Sequence, residues 1–170
     1  MIRYDAGRGK LTDWVVAEES FCPEHARKYE AVMCQGNGYM GVRAATEEAY
    51  ERTDRCALVA GTFDRVEEKR STELPDSADV TAVRILADGR EVRLSPDNHE
   101  GYLRTLNLRN GLLERRFIWK DEGTRLECRF LRFVSLADRH VMGEKLCVKA
   151  LAGTSSIEVE TGIGGERRLG

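Results

Sequence analysis

The chain has 170 residues, which is enough for one domain and too few for two of ordinary size. Its 27 basic and 29 acidic side chains give a formal charge of −2, which excludes a general polyanion binder and predicts no nucleic-acid partner. The longest uncharged stretch lies between Glu30 and Arg43 and is too short to span a bilayer, so no membrane segment is expected. The first ten residues lack the apolar core of a signal peptide, which makes a cytoplasmic location the expectation.

Two short helices are predicted near the N-terminus. A proline near a helix start indicates one over Pro23 to Glu30, and a composition rich in Ala and Glu indicates another over Ala44 to Arg52. Between them, Gly36 to Gly41 satisfies G-x-G-x-x-G, which forms a dinucleotide site when it joins a parallel strand to a helix. Because the second half of the chain predicts no parallel sheet, we interpret this stretch as a turn in which the first two glycines and Asn37 supply positive φ.

From residue 81 onward the apolar residues alternate with period two, which is typical of half-buried antiparallel strands. The Asp88-Gly89 turn predicts a hairpin, and Glu67 to Asp79, with almost no apolar residue, predicts an exposed loop. A change of phase predicts a β-bulge near Phe130 to Arg132. The predicted strands after the hairpin are Tyr102 to Arg109, Leu112 to Trp119, Thr124 to Phe130, Val141 to Ala150 and Ser155 to Thr161, and beyond Phe130 the apolar pair becomes Leu131 and Phe133. Short strands at this spacing predict a mainly β fold, an antiparallel β-sandwich.

The residues that carry chemistry form no catalytic or metal-binding motif. Five cysteines without a C-x-x-C pair are expected to be reduced thiols, with Cys128 and Cys147 packing as small hydrophobes. Three scattered histidines predict no zinc site. Carboxylate doublets such as Glu47-Glu48 are expected to be mostly solvated. The arginine-rich stretch from residue 103 to 132 could bind RNA or a phosphorylated ligand, but its interspersed acids favour a solvent face with cross-strand ion pairs.

Six groups of short motifs follow one another along some 125 residues. They are Trp14 with Phe21-x-Pro23-Glu24; Gly36 to Arg43 with Glu47-Glu48; Ala60 to Asp64; Leu74-Pro75 with Asp88-Gly89; Tyr102 to Arg115; and Arg129 to His140. Read together, they resemble the N-terminal domain of glycoside hydrolase family 65. This family contains maltose, kojibiose, nigerose and trehalose phosphorylases and some trehalases.

The resemblance implies a large β-sandwich that is joined by a helical linker to an (α/α)6 barrel, with a small β domain after it. Residues 1–170 would then be the N-terminal part of the sandwich, without the barrel that carries the catalytic Glu and the phosphate pocket. We therefore expect that residues 1–170 contain no catalytic residue and that this chain alone has no enzymatic activity. The implied parent enzyme cleaves an α-linked glucose disaccharide with inversion, using inorganic phosphate as co-substrate and giving β-glucose 1-phosphate. No metal or organic cofactor is then needed.

For this domain we expect a scaffold role: packing on its own C-terminal catalytic barrel, lending a loop to the rim of the sugar pocket, and homodimerisation. The candidate residues lie in and just after the glycine-rich turn: Asn37, Tyr39 and Arg43. Tyr39 would contact a sugar face and Arg43 a carboxylate or phosphate, or the three residues hold the domain together. Two alternatives stay open: a free-standing carbohydrate-binding or interaction sandwich, and a trehalase-like parent that uses water in place of phosphate.

Overall fold

A computed structural model of the chain describes residues 2–3, 13–48, 50, 53–66, 71–153 and 156–164. Within these residues the framework is antiparallel β with one short α-helix, which confirms the predicted mainly β class. The elements, numbered along the chain, are β1 (Ile2–Arg3), β2 (Val15–Glu18), α1 (Ala26–Val32), β3 (Gln35–Gly36), β4 (Met40–Val42), β5 (Ala57–Val59), β6 (Asp64–Val66), β7 (Ser71–Glu73), β8 (Val83–Ala87), β9 (Arg90–Glu91), β10 (His99–Asn107), β11 (Leu112–Asp121), β12 (Thr124–Val134), β13 (Met142–Ala152) and β14 (Ile157–Thr161).

The largest sheet has six strands in the order β1-β2-β10-β11-β12-β13. Its last four strands form a meander, because β10, β11, β12 and β13 follow one another in the chain and each pairs with the next. The N-terminal strand β2 instead pairs with β10, far along the chain, with Arg104 opposite Glu18. The sheet therefore combines local hairpins with one long-range pairing that connects the two halves of the sequence.

Three smaller sheets accompany the large one. A three-stranded sheet runs β14-β8-β9, a second runs β3-β4-β5, and β6 pairs with β7. The predicted hairpin at Asp88-Gly89 joins β8 to β9, and both turn residues have positive φ (51° and 75°), as a tight hairpin requires. No helix among the described residues combines the length and apolar character that a membrane crossing requires.

The main core lies between the large sheet and the β14-β8-β9 sheet. It buries alternating side chains of β10 to β12 against residues on and just after the β8–β9 hairpin: Ile85, Ala87, Val92, Leu94, Tyr102, Phe117, Trp119, Leu126, Cys128 and Phe130. A second cluster at the other end of the sheet contains Val16, Met33, Ala44, Leu106 and Leu113. Two layers of strands that enclose one apolar core make the sandwich expected from the sequence.

The opposite face of the large sheet is polar. Arg129 Nε lies 2.8 Å from Glu114 Oε1, and Glu100 on β10 binds both Lys120 on β11 (3.0 Å) and Arg125 on β12 (2.9 Å). These cross-strand ion pairs confirm the predicted reading of part of the arginine-rich stretch. The other arginines of that stretch lie on the buried face, as described below.

The helix predicted over Pro23 to Glu30 is confirmed and extends slightly further, since a 3-10 turn at Pro23–His25 leads into α1. The second prediction, Ala44 to Arg52, is wrong for the described residues 44–48 and 50, which are not helical. In a helix the carbonyl groups of Ala44 and Ala45 would accept backbone hydrogen bonds, but here arginine side chains donate to them instead. Arg104 Nη1 donates to Ala44 O (2.8 Å), and Arg132 Nη2 donates to Ala45 O (3.2 Å). Residues 49, 51 and 52 lie outside the described residues.

The predicted bulge near Phe130 to Arg132 is also wrong. β12 pairs with β13 without a shift from Leu126 to Val134, and the irregularity lies instead between Arg125 and Leu126. Inward-facing positions therefore continue through Arg132, which is 1% exposed. The change of phase in the sequence reflects an arginine in a core position rather than a change in the strand.

Three smaller predictions have mixed outcomes. Cys128 is buried as expected, whereas Cys147 is exposed on the outer side of β13. In the predicted exposed loop, residues 71–73 form β7 against β6, and residues 67–70 lie outside the described residues. The glycine-rich stretch is the hairpin turn between β3 and β4, but among the three residues predicted to have positive φ only Gly38 does so (85°).

Candidate functional site

The β3–β4 turn is held against the loop between β12 and β13 by the side chain of Asn37. Its Nδ2 donates to the carbonyl oxygens of Ser135 (2.6 Å) and Arg139 (3.0 Å). Its Oδ1 accepts hydrogen bonds from the backbone N–H groups of Tyr39 (3.0 Å) and Met40 (2.9 Å). One amide thus uses both of its donors and two acceptor positions to join two loops from distant parts of the chain.

Tyr39 lies at the surface of this double loop. Its ring meets the His140 ring edge-on, with centroids 4.5 Å apart, and the Arg139 guanidinium lies 5.5 Å from the Tyr39 ring centroid. His140 and Arg139 are exposed, and Tyr39 is half-buried. The cluster therefore presents an aromatic ring beside cationic and hydrogen-bonding groups, a combination that suits a sugar or a protein surface.

Arg43 points to a different part of the molecule. Its Nη2 donates to the carbonyl oxygen of Arg27 (3.1 Å) and lies 3.7 Å from the buried carboxylate of Glu30, both on α1. Asn37 and Tyr39 are thus brought together with the β12–β13 loop, and the Arg43 side chain joins β4 to α1 instead. The three candidate residues do not form a single cluster through their side-chain contacts.

A buried ionic network lies on the inward face of the large sheet. Arg115 on β11 is 2% exposed and binds Glu47 (Nε to Oε2, 2.9 Å) and Glu48. Burial alone would raise the pKa of Glu47, but the guanidinium groups of Arg115 and Arg132 outweigh it and hold that pKa below its usual value. The Glu47-Glu48 doublet, which was expected to be solvated, is therefore buried. Adjacent side chains of a strand point to opposite faces, but residues 44–48 are not a strand, so both carboxylates can bind Arg115.

The network continues to β12 and β13. Arg132 Nη2 donates to Glu47 Oε1 (2.7 Å), and Arg132 Nε lies 3.6 Å from Glu144 Oε2. Burial, and secondarily the nearby Glu47, raise the pKa of Glu144 to about 7 despite the positive charge of Arg132. Its other oxygen, Oε1, is buried and has no hydrogen-bond partner among the described residues. Glu144 is therefore a weakly compensated acid, since its ion pair with Arg132 is longer than those of Glu47 and Glu48 with Arg115.

A second buried ion pair lies nearby at the junction of β2 and β10. Arg104 Nε donates to Glu18 Oε2 (2.7 Å), and the hydroxyl of Tyr102 donates to the same oxygen (2.9 Å). Both charged side chains are 2% exposed. Because β2 and β10 are far apart in sequence, this pair ties the N-terminal strand to the second half of the chain.

These buried acids are organising groups rather than exposed acid/base catalysts. Glu18, Glu47 and Glu48 each bind an arginine that is itself buried, and arginines bind four carbonyls of residues 44–47 in addition. No cluster of three or more metal-ligating side chains occurs among the described residues. The arrangement fixes one irregular segment against three strands, which is a structural function.

The sequence did contain a signal for this network. Arg104, Arg115 and Arg132 each occupy a position that shares its face with apolar neighbours two residues away, such as Leu113 and Phe117 around Arg115. An arginine in phase with the apolar residues of a strand predicts a buried partner. We interpreted these arginines only as part of a basic stretch, and the network was missed.

Two clefts flank the double loop. One, of about 420 Å³, lies between the paired strands β4 and β5 and the start of β13, with His140, Met142 and Glu144 on one wall. The other, of about 480 Å³, lies at the end of the large sheet and includes Leu108, Phe133 and Leu136 in its apolar lining. Both are open and mainly apolar, so they resemble contact surfaces more than enclosed catalytic pockets.

The two-layered antiparallel architecture, in which buried charges hold segments together, defines the class of protein as a β-sandwich domain. Residues 16–169 match the family model described as glycosyl hydrolase family 65, N-terminal domain. The chain therefore belongs to glycosyl hydrolase family 65, as its sequence motifs indicated.

Curated relatives agree with this assignment. The chain is 36% identical over 166 residues to a kojibiose phosphorylase of Halothermothrix orenii. The aligned region covers 97% of this chain and 21% of the relative. It is 32% identical over 149 residues to a kojibiose phosphorylase of Escherichia coli, covering 87% and 19%. A maltose phosphorylase of Bacillus subtilis is 23% identical over 159 residues, covering 87% and 21%. The chain thus spans about one fifth of the length of the curated relatives it matches.

A solved structure has the same fold. It comes from a human-microbiome protein assigned to the kojibiose phosphorylases and superposes with a TM-score of 0.77 over 83% of this chain and 20% of that chain. The sequence identity is 21%, so this likeness supports the fold alone.

Proposed function

We propose that the chain is the non-catalytic N-terminal β-sandwich domain of a family 65 parent enzyme that cleaves an α-glucosidic disaccharide with phosphate. The observation that carries the proposal is the match of residues 16–169 to the family's N-terminal domain. It is supported by relatives described as kojibiose, trehalose, maltose and nigerose phosphorylases, each about five times as long as the matched region or longer.

In this proposal the chemistry takes place outside residues 1–170. A carboxylic acid of the parent's barrel protonates the leaving glycosidic oxygen, and inorganic phosphate attacks the anomeric carbon from the opposite face. Phosphate replaces the base-activated water of an inverting hydrolase, so the product is β-glucose 1-phosphate. No metal or organic cofactor takes part, and phosphate is the co-substrate.

The contribution of this domain is structural support for the barrel, together with a loop at the rim of its sugar pocket. The double loop around Asn37 suits that role, because a rigid support keeps a contacting side chain such as Tyr39 in place. Arg43, which braces β4 against α1, belongs to the support in this proposal. The parent is a homodimer in which this domain takes part.

The first experiment is to read the source gene beyond the codon for Gly170 and to express the whole reading frame. The parent protein is then incubated with kojibiose, maltose, nigerose and trehalose, with and without phosphate. Phosphate-dependent release of glucose and formation of the β-anomer of glucose 1-phosphate, identified by proton NMR, are the expected result.

Other outcomes identify the alternatives. Release of two glucose molecules without consumption of phosphate would make the parent a trehalase-like hydrolase. A reading frame that ends near Gly170, together with tight and specific binding of a disaccharide to the 170-residue chain in calorimetry, would overturn the enzyme proposal in favour of a free-standing sandwich.

The rim role is tested by Tyr39→Ala in the parent protein, with Phe63→Ala as the control. Phe63 is a 69% exposed aromatic residue between β5 and β6, and no ring contact joins it to Tyr39 among the described residues. If Tyr39 lies at the rim, its removal raises KM for the disaccharide about tenfold while the control does not. Lower stability with unchanged kinetics per folded molecule would show that Tyr39 only holds the domain together.

A further inference from the structure

The buried ionic network around Arg115 contains more acids than bases. The carboxyl groups of Glu47, Glu48 and Glu144 face only two guanidinium groups, those of Arg115 and Arg132. The side chain of Glu144 is 14% exposed, and the other four are at most 4% exposed. An uncompensated negative charge away from water is costly, and the usual remedy is that one acid keeps its proton. The charges of the network therefore indicate one protonated carboxyl group.

The hydrogen bonds of the network identify the acid that keeps this proton. Glu47 accepts from Arg132 through Oε1 and from Arg115 through Oε2, and Glu48 binds Arg115 directly. By contrast, Arg132 Nε lies 3.6 Å from Glu144 Oε2, which is too far for a hydrogen bond. Among the described residues, no guanidinium group donates to Glu144, so its ionised form is the poorly stabilised one.

Glu47 is placed to accept a hydrogen bond from a protonated Glu144. The two carboxyl groups lie within hydrogen-bonding reach of each other, and Glu144 Oε1 is buried without a donor among the described residues. Two carboxylates in this position repel each other, whereas a carboxylic acid donates a charge-assisted hydrogen bond to a carboxylate. Glu47 is the acceptor because, despite its burial, Arg115 and Arg132 hold its pKa below the usual value.

The pair lies beneath the double loop. The cleft of about 420 Å³ separates the start of β13, which carries Glu144, from β4 and β5. Strand β4 follows the turn that contains Asn37, and β13 follows the loop to which Asn37 donates its hydrogen bonds. The two strands that leave the double loop therefore lie on opposite sides of the cleft that Glu144 lines.

The other charged groups near Glu144 come from three elements. Arg132 on β12 and Arg115 on β11 act on its charge from the sheet, and His140 lies on the same wall of the cleft. Among the described residues, no charged side chain lines the wall formed by β4, β5 and residues 77, 78 and 80. Loss of the proton from Glu144 therefore places a negative charge opposite an apolar wall.

We propose that Glu144 carries a proton and donates it in a hydrogen bond to Glu47, and that release of this proton to water opens the cleft between β13 and β4. The neutral acid holds the start of β13 against segment 44–48. The ionised acid is repelled by Glu47 and requires hydration, which the apolar cleft provides only when its walls separate. The inference goes beyond the proposed function, since it concerns this chain alone and involves neither substrate nor parent enzyme.

The first experiment follows the side-chain carboxyl carbons of the glutamates by carbon-13 NMR in the 170-residue chain, from about pH 5 to pH 9. Glu144 is expected to titrate with a midpoint near pH 7, as its raised pKa of about 7 requires. The resonance of Glu47 should shift with the same midpoint, because Glu47 loses its donor at that pH. A midpoint near pH 7 at Glu48 with Glu144 ionised throughout, or a Glu47 resonance that does not respond, would overturn the proposal.

A second measurement tests the opening of the cleft. Met40 and Met142 line the cleft from β4 and β13, whereas Met33 is fully buried in the second core cluster. As the pH rises through 7, relaxation of the Met40 and Met142 methyl groups by a soluble, neutral gadolinium chelate should increase at least about twofold, with little change at Met33. Constant relaxation of the two cleft methyl groups would contradict the opening.

A pair of variants assigns the effect to one group. Glu144→Gln offers Glu47 an amide donor at every pH, so the pH dependence at Met40 and Met142 should disappear. His140→Asn removes the other titratable side chain of this wall and should leave that pH dependence in place. Persistence of the opening in Glu144→Gln, or its loss in His140→Asn, would overturn the proposal. If Glu144→Gln does not fold, the carboxyl titration of the unmodified chain still decides between the outcomes.

Discussion

At the scale of single residues, Arg115 has the most concentrated electrostatic function. It is the buried partner of two adjacent carboxylates, Glu47 and Glu48, and the burial of Glu48 already raises the pKa of that acid despite the ion pair. A buried acid that loses its partner must either ionise in a low dielectric or take up a proton. The stability of the chain should therefore depend strongly on this one side chain.

We predict that Arg115→Met lowers the free energy of unfolding by about 3–5 kcal/mol, because it leaves two buried carboxylates without their main partner. The control is Arg129→Met, which removes an exposed pair with Glu114 and should cost less than about 1 kcal/mol. Urea unfolding followed by tryptophan fluorescence measures both. Equal losses of unfolding free energy in the two variants would show that the buried ion pairs of Arg115 stabilise the chain no more than the exposed pair does.

Glu144 makes the stability depend on pH in the opposite sense to most carboxylates. Its pKa in the folded state is about 7, above the ordinary value of 4.5, so between these values the folded chain binds a proton more strongly than the unfolded chain. Burial is the main cause of the raised pKa; Glu47 raises it further, Arg132 and Arg115 lower it, and His140 lines the same cleft. Stability from this group is complete below pH 4.5 and is lost as the pH rises through 7.

Relative to Glu144→Gln, which does not titrate, the unmodified chain should lose about 2–3 kcal/mol of stability between pH 5 and pH 8. Urea unfolding of both proteins at several pH values measures the difference. Glu158→Gln, at an exposed position on β14, is the control and should track the unmodified chain. A difference that stays constant with pH would show that Glu144 is ionised throughout this range.

At the scale of elements, the β3–β4 turn and the β12–β13 loop form one unit because Asn37 bonds to both. Its Nδ2 group donates to the carbonyl oxygens of Ser135 and Arg139, which lie 98 and 102 residues further along the chain. The ring contacts of Tyr39 with the same loop add to these hydrogen bonds. The tight approach within the turn depends on glycine: a Cβ on Gly36 would lie 3.2 Å from Met40 O.

Asn37→Ala should lower the free energy of unfolding by about 2 kcal/mol and speed up amide exchange in residues 135–141, because their carbonyl anchor is lost. Asn110→Ala is the matched control, since Asn110 caps only its own exposed turn through a bond from Leu112 N–H. Exchange in residues 135–141 that is unchanged in the Asn37 variant would show that the loop holds its conformation alone.

The strands of the second half were predictable because local physics determines them. Alternation of apolar and polar residues and the D-G, N-G and E-G turns depend on near neighbours, and hairpins bring near neighbours together. The segment 44–48 was not predictable in this way. Its Ala- and Glu-rich composition favours a helix, but arginines from β10, β11 and β12 bind its carbonyls and carboxylates, and that competition is set by residues up to 87 positions away.

The same reason explains what was found and missed at the candidate site. The turn containing Asn37 and Tyr39 was identified from its glycines, which act locally. Its partner loop and the separate direction of the Arg43 side chain depend on tertiary contacts with residues 135–140 and with α1. The buried acids were missed because adjacent carboxylates are solvated in most contexts, and only the tertiary structure brings an arginine to them.

At the scale of the whole molecule, the N-terminal strand β2 connects the beginning of the chain to the large sheet. Val15, Val16 and Ala17 are buried there, and Glu18 neutralises Arg104 beneath them. Without β2, the sheet would lose the strand beside β10, part of its second core cluster and the partner of a buried arginine.

Deletion of residues 1–18 should therefore abolish cooperative unfolding of the chain. Glu18→Gln, which keeps the strand and removes only the charge, should unfold cooperatively with a free energy lowered by about 3 kcal/mol. Far-ultraviolet circular dichroism during thermal unfolding measures both. A sigmoidal transition for the truncated chain at an unchanged temperature would contradict this role of β2.

The pairing of β2 with β10 also sets an order of events during protein synthesis. Arg104 is 86 residues beyond Glu18, so the N-terminal strand leaves the ribosome long before its neighbour in the sheet exists. At about 5–20 residues per second, several seconds pass in which the apolar residues of β2 have no native partner. The sheet can close only after β10 has emerged, and its formation is therefore coupled to translation of the second half of the chain.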